Sequence, residues 1–306
     1  IYRPDLKALK FHPSGECGFE FKIPGHVDVH RYERLQIFAD DASGPLKEVQ
    51  TRSIPAVLRE PLPKVFFMHI PKTAGTSFNT FAETLFPQNS AAVHIEALDK
   101  GAYPVLQAGK HYLAGHLPLR EIKAHFDLSL FDLYTLVREP YSHLHSHLKW
   151  VKRIGKDPES EFFLSHSAET QKLALLLNEL DFTLHKNVRA LTDGICGELT
   201  TLFDNHQTRY FLDYKRKKVT APDVKIAQGE LRLFKFIGIT EQYQRYLSFF
   251  CSAYGVTCPG QKVQLNRSDN KKLFDYQDAT VRSILYPLVE HDLRLYQIVL
   301  ECRSSI

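Results

Sequence analysis

The string HIPKTAGTS, from His69 to Ser77, gathers the residue types that hold an anion against a protein backbone. Lys72 brings a mobile positive charge. Gly75 permits close backbone approach, and Thr76 and Ser77 offer hydroxyl donors. Placed between a strand and a helix, such a string leaves the first N–H groups of the helix unpaired, and the helix dipole favours negative charge beside them. The chemistry implied is the holding of a phosphate or sulfate group with a cation at its reacting end. The lysine precedes the glycine, so the order GxxxxGK[ST] is absent and the reading turns away from a magnesium-dependent nucleotide triphosphatase.

A second string, TLVREPYSHLHSHL from Thr135 to Leu148, carries Arg138 at the end of an apolar run and Ser146 on the helix expected after it. Arg138 is a permanently charged, bidentate donor suited to a phosphate, and Ser146 is a hydroxyl facing back. A histidine beside such an anion site could act as a base. His116, in YLAGHLPLREI, stands at the mouth of an expected strand and is the leading candidate. His69 is expected to be buried beside the loop, and His94 lies in no motif. His143 and His147 share a helix face as in HExxH sites, but Leu144 stands where the glutamate would be, so they are read as packing or surface histidines and no metal is assigned.

The elements that must position these groups follow from periodicity. Val65 to Ile70 is a short apolar run suited to a strand buried on both faces. Ser77 to Phe86 places Phe78, Phe81, Leu85 and Phe86 at helical spacing. His111 to Ala114 and Phe131 to Val137 are further strands, and a helix is expected from Tyr141 to about Arg153. Residues 158 to 219 read as helical and irregular, Leu231 to Ile239 as a strand returning to the sheet, and Glu241 to Tyr254 as a helix with Thr240 as its N-cap. The last helix is expected from Asp278 to Cys302, kinked at Pro287. The alternation predicts a parallel α/β sheet with functional loops at the strand C-terminal ends. Before it, residues 1 to 60 form a separate β-rich segment: GFEFKI at Gly18 to Ile23 alternates, Leu35 to Ala39 is a second strand candidate, DDASGP reads as a turn, and Pro55, Pro61 and Pro63 mark a linker. The division expected is 1–60 and 61–306.

Over roughly residues 64 to 302 the motifs resemble those of the sulfotransferases that use 3′-phosphoadenosine-5′-phosphosulfate (PAPS), and in particular the carbohydrate type related to heparan sulfate 2-O-sulfotransferase. The resemblance implies a P-loop-like three-layer domain with a central parallel sheet. It implies that Lys72 is the catalytic lysine, that Thr73, Ala74, Gly75, Thr76 and Ser77 wrap the 5′-phosphate, and that Arg138 and Ser146 bind the 3′-phosphate. His116 falls in the Gly-His element that carries the family's base; Ala114 stands where some members have a second histidine. DNHQTRYF (Asp204 to Phe211) is similar to a segment on the acceptor side of the cleft, which makes Gln207 and Arg209 substrate contacts or braces. Arg267 falls where the family closes a loop over the nucleotide. The implied cosubstrate is PAPS, without a metal, and the implied partner is a hydroxyl-bearing acceptor, a glycan first.

Bulk properties frame this. The chain has 306 residues, 43% hydrophobic and 24% charged, which is ordinary for a globular protein with a buried core. Its 39 basic and 35 acidic residues leave +4, too mild to argue for nucleic acid or a membrane surface. No apolar run reaches the roughly 18 residues of a membrane span. Because the chain opens on Ile1, a missing leader or anchor carries no weight. The five cysteines show no metal-ligand spacing and read as reduced thiols of the cytoplasm. A Cys251–Cys258 bridge and the sequon Asn266-Arg267-Ser268 fit the alternative, a lumenal domain of the Golgi. No feature speaks to oligomeric state. Two other functions stay open: a P-loop kinase or nucleotidase, which requires Mg-ATP, and a non-catalytic glycan-binding protein on the same scaffold.

Overall fold

Lys64–Met68 (β3) has the sequence KVFFM, and in a computed structural model of the chain the four residues Val65, Phe66, Phe67 and Met68 are wholly buried. A strand covered on both faces has no polar side to show, which is why the run is continuously apolar rather than alternating. The structure describes residues 34–39, 47–53, 64–86, 89–256, 258 and 272–303. The expected strand at Gly18 to Ile23, the proline linker, the sequon and Arg267 lie outside these. The chain divides into two compact units, Ile1–Pro61 and Leu62–Ile306.

In the first unit, Arg34–Ala39 (β1) pairs antiparallel with Lys47–Ser53 (β2), with a register shift between Ile37 and Phe38. The second strand, KEVQTRS, has no apolar alternation to announce it.

The second unit is an α/β fold built on a five-stranded parallel sheet. Its strands are Ala91–Ala92 (β4), Tyr112–Gly115 (β5), β3, Phe131–Val137 (β6) and Phe234–Ile239 (β7), in that spatial order. Met68 lies opposite both Gly115 and Thr135, and Val137 lies opposite Ile239. The chain therefore leaves β3, β5, β6 and β7 at one edge, and the strand order reverses around β3. That edge is where open α/β sheets bind ligands.

Strand periodicity sorts the core. Phe66, Met68, Leu113 and Leu133 point to one face and pack with the helices Leu119–His125 and Ala221–Glu230 and the C-terminal end of the last helix, Ala279–Arg303. Phe67, Tyr112 and Tyr134 point to the other face. There Gly75–Glu83 (α1) delivers Phe78, and Tyr243–Tyr254 (α2) delivers Tyr246 and Phe250. The ring centroids of Phe67 and Phe78 are 4.7 Å apart, and those of Phe78 and Phe250 5.1 Å, in edge or tilted contacts. Each such buried ring contributes roughly 2–3 kcal/mol. A second apolar core lies mostly among helices: Pro140–Ile154 (α3) gives Leu144, Leu148 and Val151 to it, Ala168–Glu179 packs against α3, and His185–Gly194 packs against the last helix.

The helix at Ala221–Glu230 was not expected. Its apolar pattern is weak, and its start is fixed instead by Asp223, whose carboxylate accepts from the Thr220 N–H at 2.7 Å and hydroxyl at 2.6 Å. The helix at Ala279–Arg303 runs through Pro287, and Asn205 enters its ladder one turn later: Asn205 Oδ1 accepts from His291 and Asp292 N–H at 2.7 and 3.1 Å. Thr240 is not an N-cap. It opens a short 3-10 turn, and its hydroxyl reaches the carbonyls of Thr73 and Val137 at 3.0 and 3.1 Å. Cys251 and Cys258 are free thiols.

Candidate active site

The loop between β3 and α1 is held by its carbonyls. Thr73 Oγ1 donates to Ile70 O at 2.8 Å, His143 Nε2 lies 2.9 Å from Pro71 O, Arg138 Nη1 donates to Lys72 O at 3.2 Å, and Thr240 donates to Thr73 O. The partners outside the loop come from α3 and from the ends of β6 and β7. The backbone N–H groups of Thr73, Ala74, Gly75 and Thr76 donate to no protein acceptor among the described residues. Lys72 and Ala74 both have φ of 68°, a left-handed conformation that residues with a Cβ adopt at a cost of about 1–3 kcal/mol. This is the geometry of an anion cradle at a helix start. The Thr73 side chain is turned inward, so its contribution to a ligand is its N–H alone. Gly75 serves a different approach from the one its position suggests: a methyl group there would overlap the His69 ring.

The Lys72 ammonium is paired with no carboxylate among the described residues, and burial followed by Arg153 and Arg138 lowers its pKa. It lines a cavity of about 560 Å³ together with Ser146, Lys149, Trp150, Arg153, Lys156 and Lys272. On α3 the spacing of Ser146, Lys149, Trp150 and Arg153 puts all four on one helix face. Ser146 and Lys72 thus meet at one anion-attracting wall. Arg138 stands beside rather than in this cavity. Its Nε donates to Ser142 Oγ at 3.0 Å, and its backbone N–H and C=O are both held by the Gln207 amide at 2.8 Å.

His116 begins the loop after β5. Its N–H donates to Glu96 Oε2 at 2.9 Å, and its Nδ1 lies 2.7 Å from His69 O. A carbonyl only accepts, so Nδ1 carries the proton and Nε2 keeps its lone pair. The His69 ring lies against it, 4.2 Å between centroids. Burial lowers the pKa of His116, partly offset by the bond to His69 O, and Lys72 is close enough to lower it further. His69 is buried, as the sequence led us to expect, and burial and the His116 charge hold it well below the ordinary imidazole value.

Sequence reasoning missed Glu96 and set His94 aside. Both follow the two-residue strand β4, and only the pairing of β4 with β5 brings them to His116. His94 Nδ1 is 3.3 Å from Glu96 Oε1, and its ring centroid is 5.8 Å from that of His116. A histidine and a glutamate two residues apart after a loop carry no signal by themselves.

No family model matches this chain, and no curated protein matches it. Among solved structures, a sulfotransferase from Alicyclobacillus acidocaldarius aligns with 77% of this chain and 95% of its own, at 13% identity and a TM-score of 0.38. So loose a likeness assigns no role to any residue.

Of the two roles expected for Gln207 and Arg209, substrate contact or brace, the bonds of the structure describe the brace. Both ends of the Gln207 amide bond the Arg138 backbone, and its own N–H and that of Thr208 go to Asp292 at 3.1 and 2.7 Å. Arg209 pairs with buried Asp204 at 2.6 Å and donates to the carbonyls of Asp204, Arg216 and Lys217. Four of the five guanidinium N–H donors are thus spent on the protein itself. Breaking such a pair leaves a buried charge uncompensated, so Arg209→Ala is expected to lose about 3–5 kcal/mol in urea unfolding. Unchanged stability with a raised acceptor KM would restore the contact role.

Proposed function

We propose that this chain transfers a sulfuryl group from PAPS to an acceptor hydroxyl, with a carbohydrate as the first acceptor class. The observation that carries the reading is the loop from Pro71 to Thr76: its carbonyls are tied away, four of its N–H groups are available, and Lys72 sits within electrostatic range of both Arg138 and His116. In this reading the N–H groups and Lys72 hold the 5′-phosphate. Arg138, with the lysines and Arg153 around Ser146, supplies positive charge for the 3′-phosphate, and Ser146 supplies a hydroxyl donor. His116 Nε2 takes the proton of the acceptor hydroxyl as its oxygen bonds to sulfur. The sulfur–oxygen bond to the 5′-phosphate breaks, and the charge left there is met by Lys72 and the N–H cradle.

A glycan leads among acceptors because the motifs around Lys72, His116 and Arg138 resemble carbohydrate enzymes. The rival reading, phosphoryl transfer from Mg-ATP, finds no Walker order in the loop. Two measurements separate them. Calorimetry should give binding of 3′-phosphoadenosine-5′-phosphate at least tenfold tighter than ATP. Labelled sulfate from PAPS should appear on at least one member of a panel of polysaccharides. Tighter binding of Mg-ATP, with phosphate transfer to the same panel, would overturn the proposal.

A further inference from the structure

His94, Glu96 and His116 each offer one ligand atom, and the three atoms lie within 4.8 Å of one another at the mouth of β5. Two imidazoles and one carboxylate form a borderline nitrogen–oxygen donor set. It suits Zn²⁺ and its first-row neighbours and does not suit Mg²⁺ or Ca²⁺, which prefer oxygen alone.

A second observation points the same way. A histidine that binds zinc through one nitrogen almost always donates from the other to a carbonyl or carboxylate, which fixes the ring and raises its basicity. His116 already has that arrangement: Nδ1 lies 2.7 Å from the His69 carbonyl, which leaves the lone pair of Nε2 for an ion. Glu96 is held as well: Oε2 accepts from the His116 N–H, and Oε1 lies beside His94. His94 is exposed at a φ of 55°, so its ring can turn toward the ion without disturbing the core.

We propose that His94, Glu96 and His116 form a binding site for a divalent transition metal, with Zn²⁺ as the ion of choice and solvent completing its coordination. Binding moves no electrons and forms only three protein–metal bonds. The site goes beyond the sulfuryl-transfer reading and does not depend on it. Where the two meet, a metal on His116 Nε2 occupies the lone pair that the base requires, so Zn²⁺ inhibits transfer.

The test is a titration of the whole chain with Zn²⁺ against a chromophoric chelator, repeated for His94→Asn and Glu96→Gln. Asparagine tolerates the left-handed backbone at position 94, and circular dichroism confirms that each variant is folded. The expected result is one site per chain in the parent protein, weakened at least tenfold in both variants. Co²⁺ substitution separates this site from the cysteines, because nitrogen–oxygen ligation gives d–d bands without a thiolate charge-transfer band. Unchanged Zn²⁺ affinity in both folded variants, or a thiolate band as the main Co²⁺ signal, would overturn the proposal. Sulfate transfer is read separately, so absent turnover with intact Zn²⁺ binding counts against the enzymatic reading alone.

Discussion

Lys72→Ala and His116→Ala should each lower kcat/KM for sulfate transfer by two to three orders of magnitude while leaving the urea midpoint nearly unchanged. The lysine is placed to meet charge that develops on the departing 5′-phosphate, and removing one such donor typically costs a factor of about 10²–10³. Removing a positioned base costs about 10²–10⁴. Stability should hold because neither side chain carries the core. Lys72 anchors through its carbonyl, which accepts from Arg138 whatever side chain position 72 bears. The left-handed φ at position 72 is as unfavourable for alanine as for lysine. His116 anchors partly through its N–H to Glu96, which alanine retains. The two variants should differ in kind: Lys72→Ala weakens binding of 3′-phosphoadenosine-5′-phosphate, and His116→Ala does not. Undiminished turnover in His116→Ala would remove it as the base, and Glu96, one hydrogen bond away, would be the next group to test.

The sheet was legible in the sequence because its strands are buried on both faces and so are written as uninterrupted apolar runs. Phe131–Val137 is found at the expected bounds, and β3 and β5 within two residues of theirs. Parallel topology followed from helices between those runs. The signals that failed are of another kind. β4 is two alanines, whose pairing is decided by β5 rather than by any pattern of their own. Arg209 looked like a ligand contact because an arginine in a motif presents the same letter whether its donors face a cleft or four backbone and carboxylate acceptors. The gathering of Glu96, His94 and His116 depends on the register of β4 against β5, which no local spacing encodes. The place of the Lys72 loop between a strand and a helix was readable; the meeting of the three residues was not.

Acidification should destabilise this domain before carboxylates of ordinary pKa are protonated. Besides His69, four histidines, His143, His145, His147 and His206, are buried among the described residues. Burial is the first cause of the lowered pKa in each: His143 is pushed down to about 3, His145 to about 4 and His206 to about 4, and His147 lies well below the ordinary value. Geometry agrees with neutrality. His145 Nε2 accepts from the Leu273 N–H at 3.0 Å, a bond that protonation would abolish, and the rings of His143, His147 and His206 lie within about 6 Å of one another. In the unfolded chain each would titrate near 6.5. A depressed folded pKa contributes stability that is fully present above 6.5 and is lost as pH falls toward 4, because the unfolded state takes up the protons first. At pH 5 each of these histidines has cost about 2 kcal/mol, so three of them remove about 6 kcal/mol from a total that is typically 5–15. Asp292 opposes this: burial raises it to about 6, so its protonation between pH 7 and 5 returns only about 1.3 kcal/mol. The histidines win. The urea midpoint should therefore fall steeply from pH 7 to 5. In His145→Gln, whose side-chain oxygen can still accept from Leu273, the slope should ease by about one proton. A midpoint flat across that range would mean that these rings are charged in the folded state, and a flat difference between His145→Gln and the parent chain would exclude His145 from the effect.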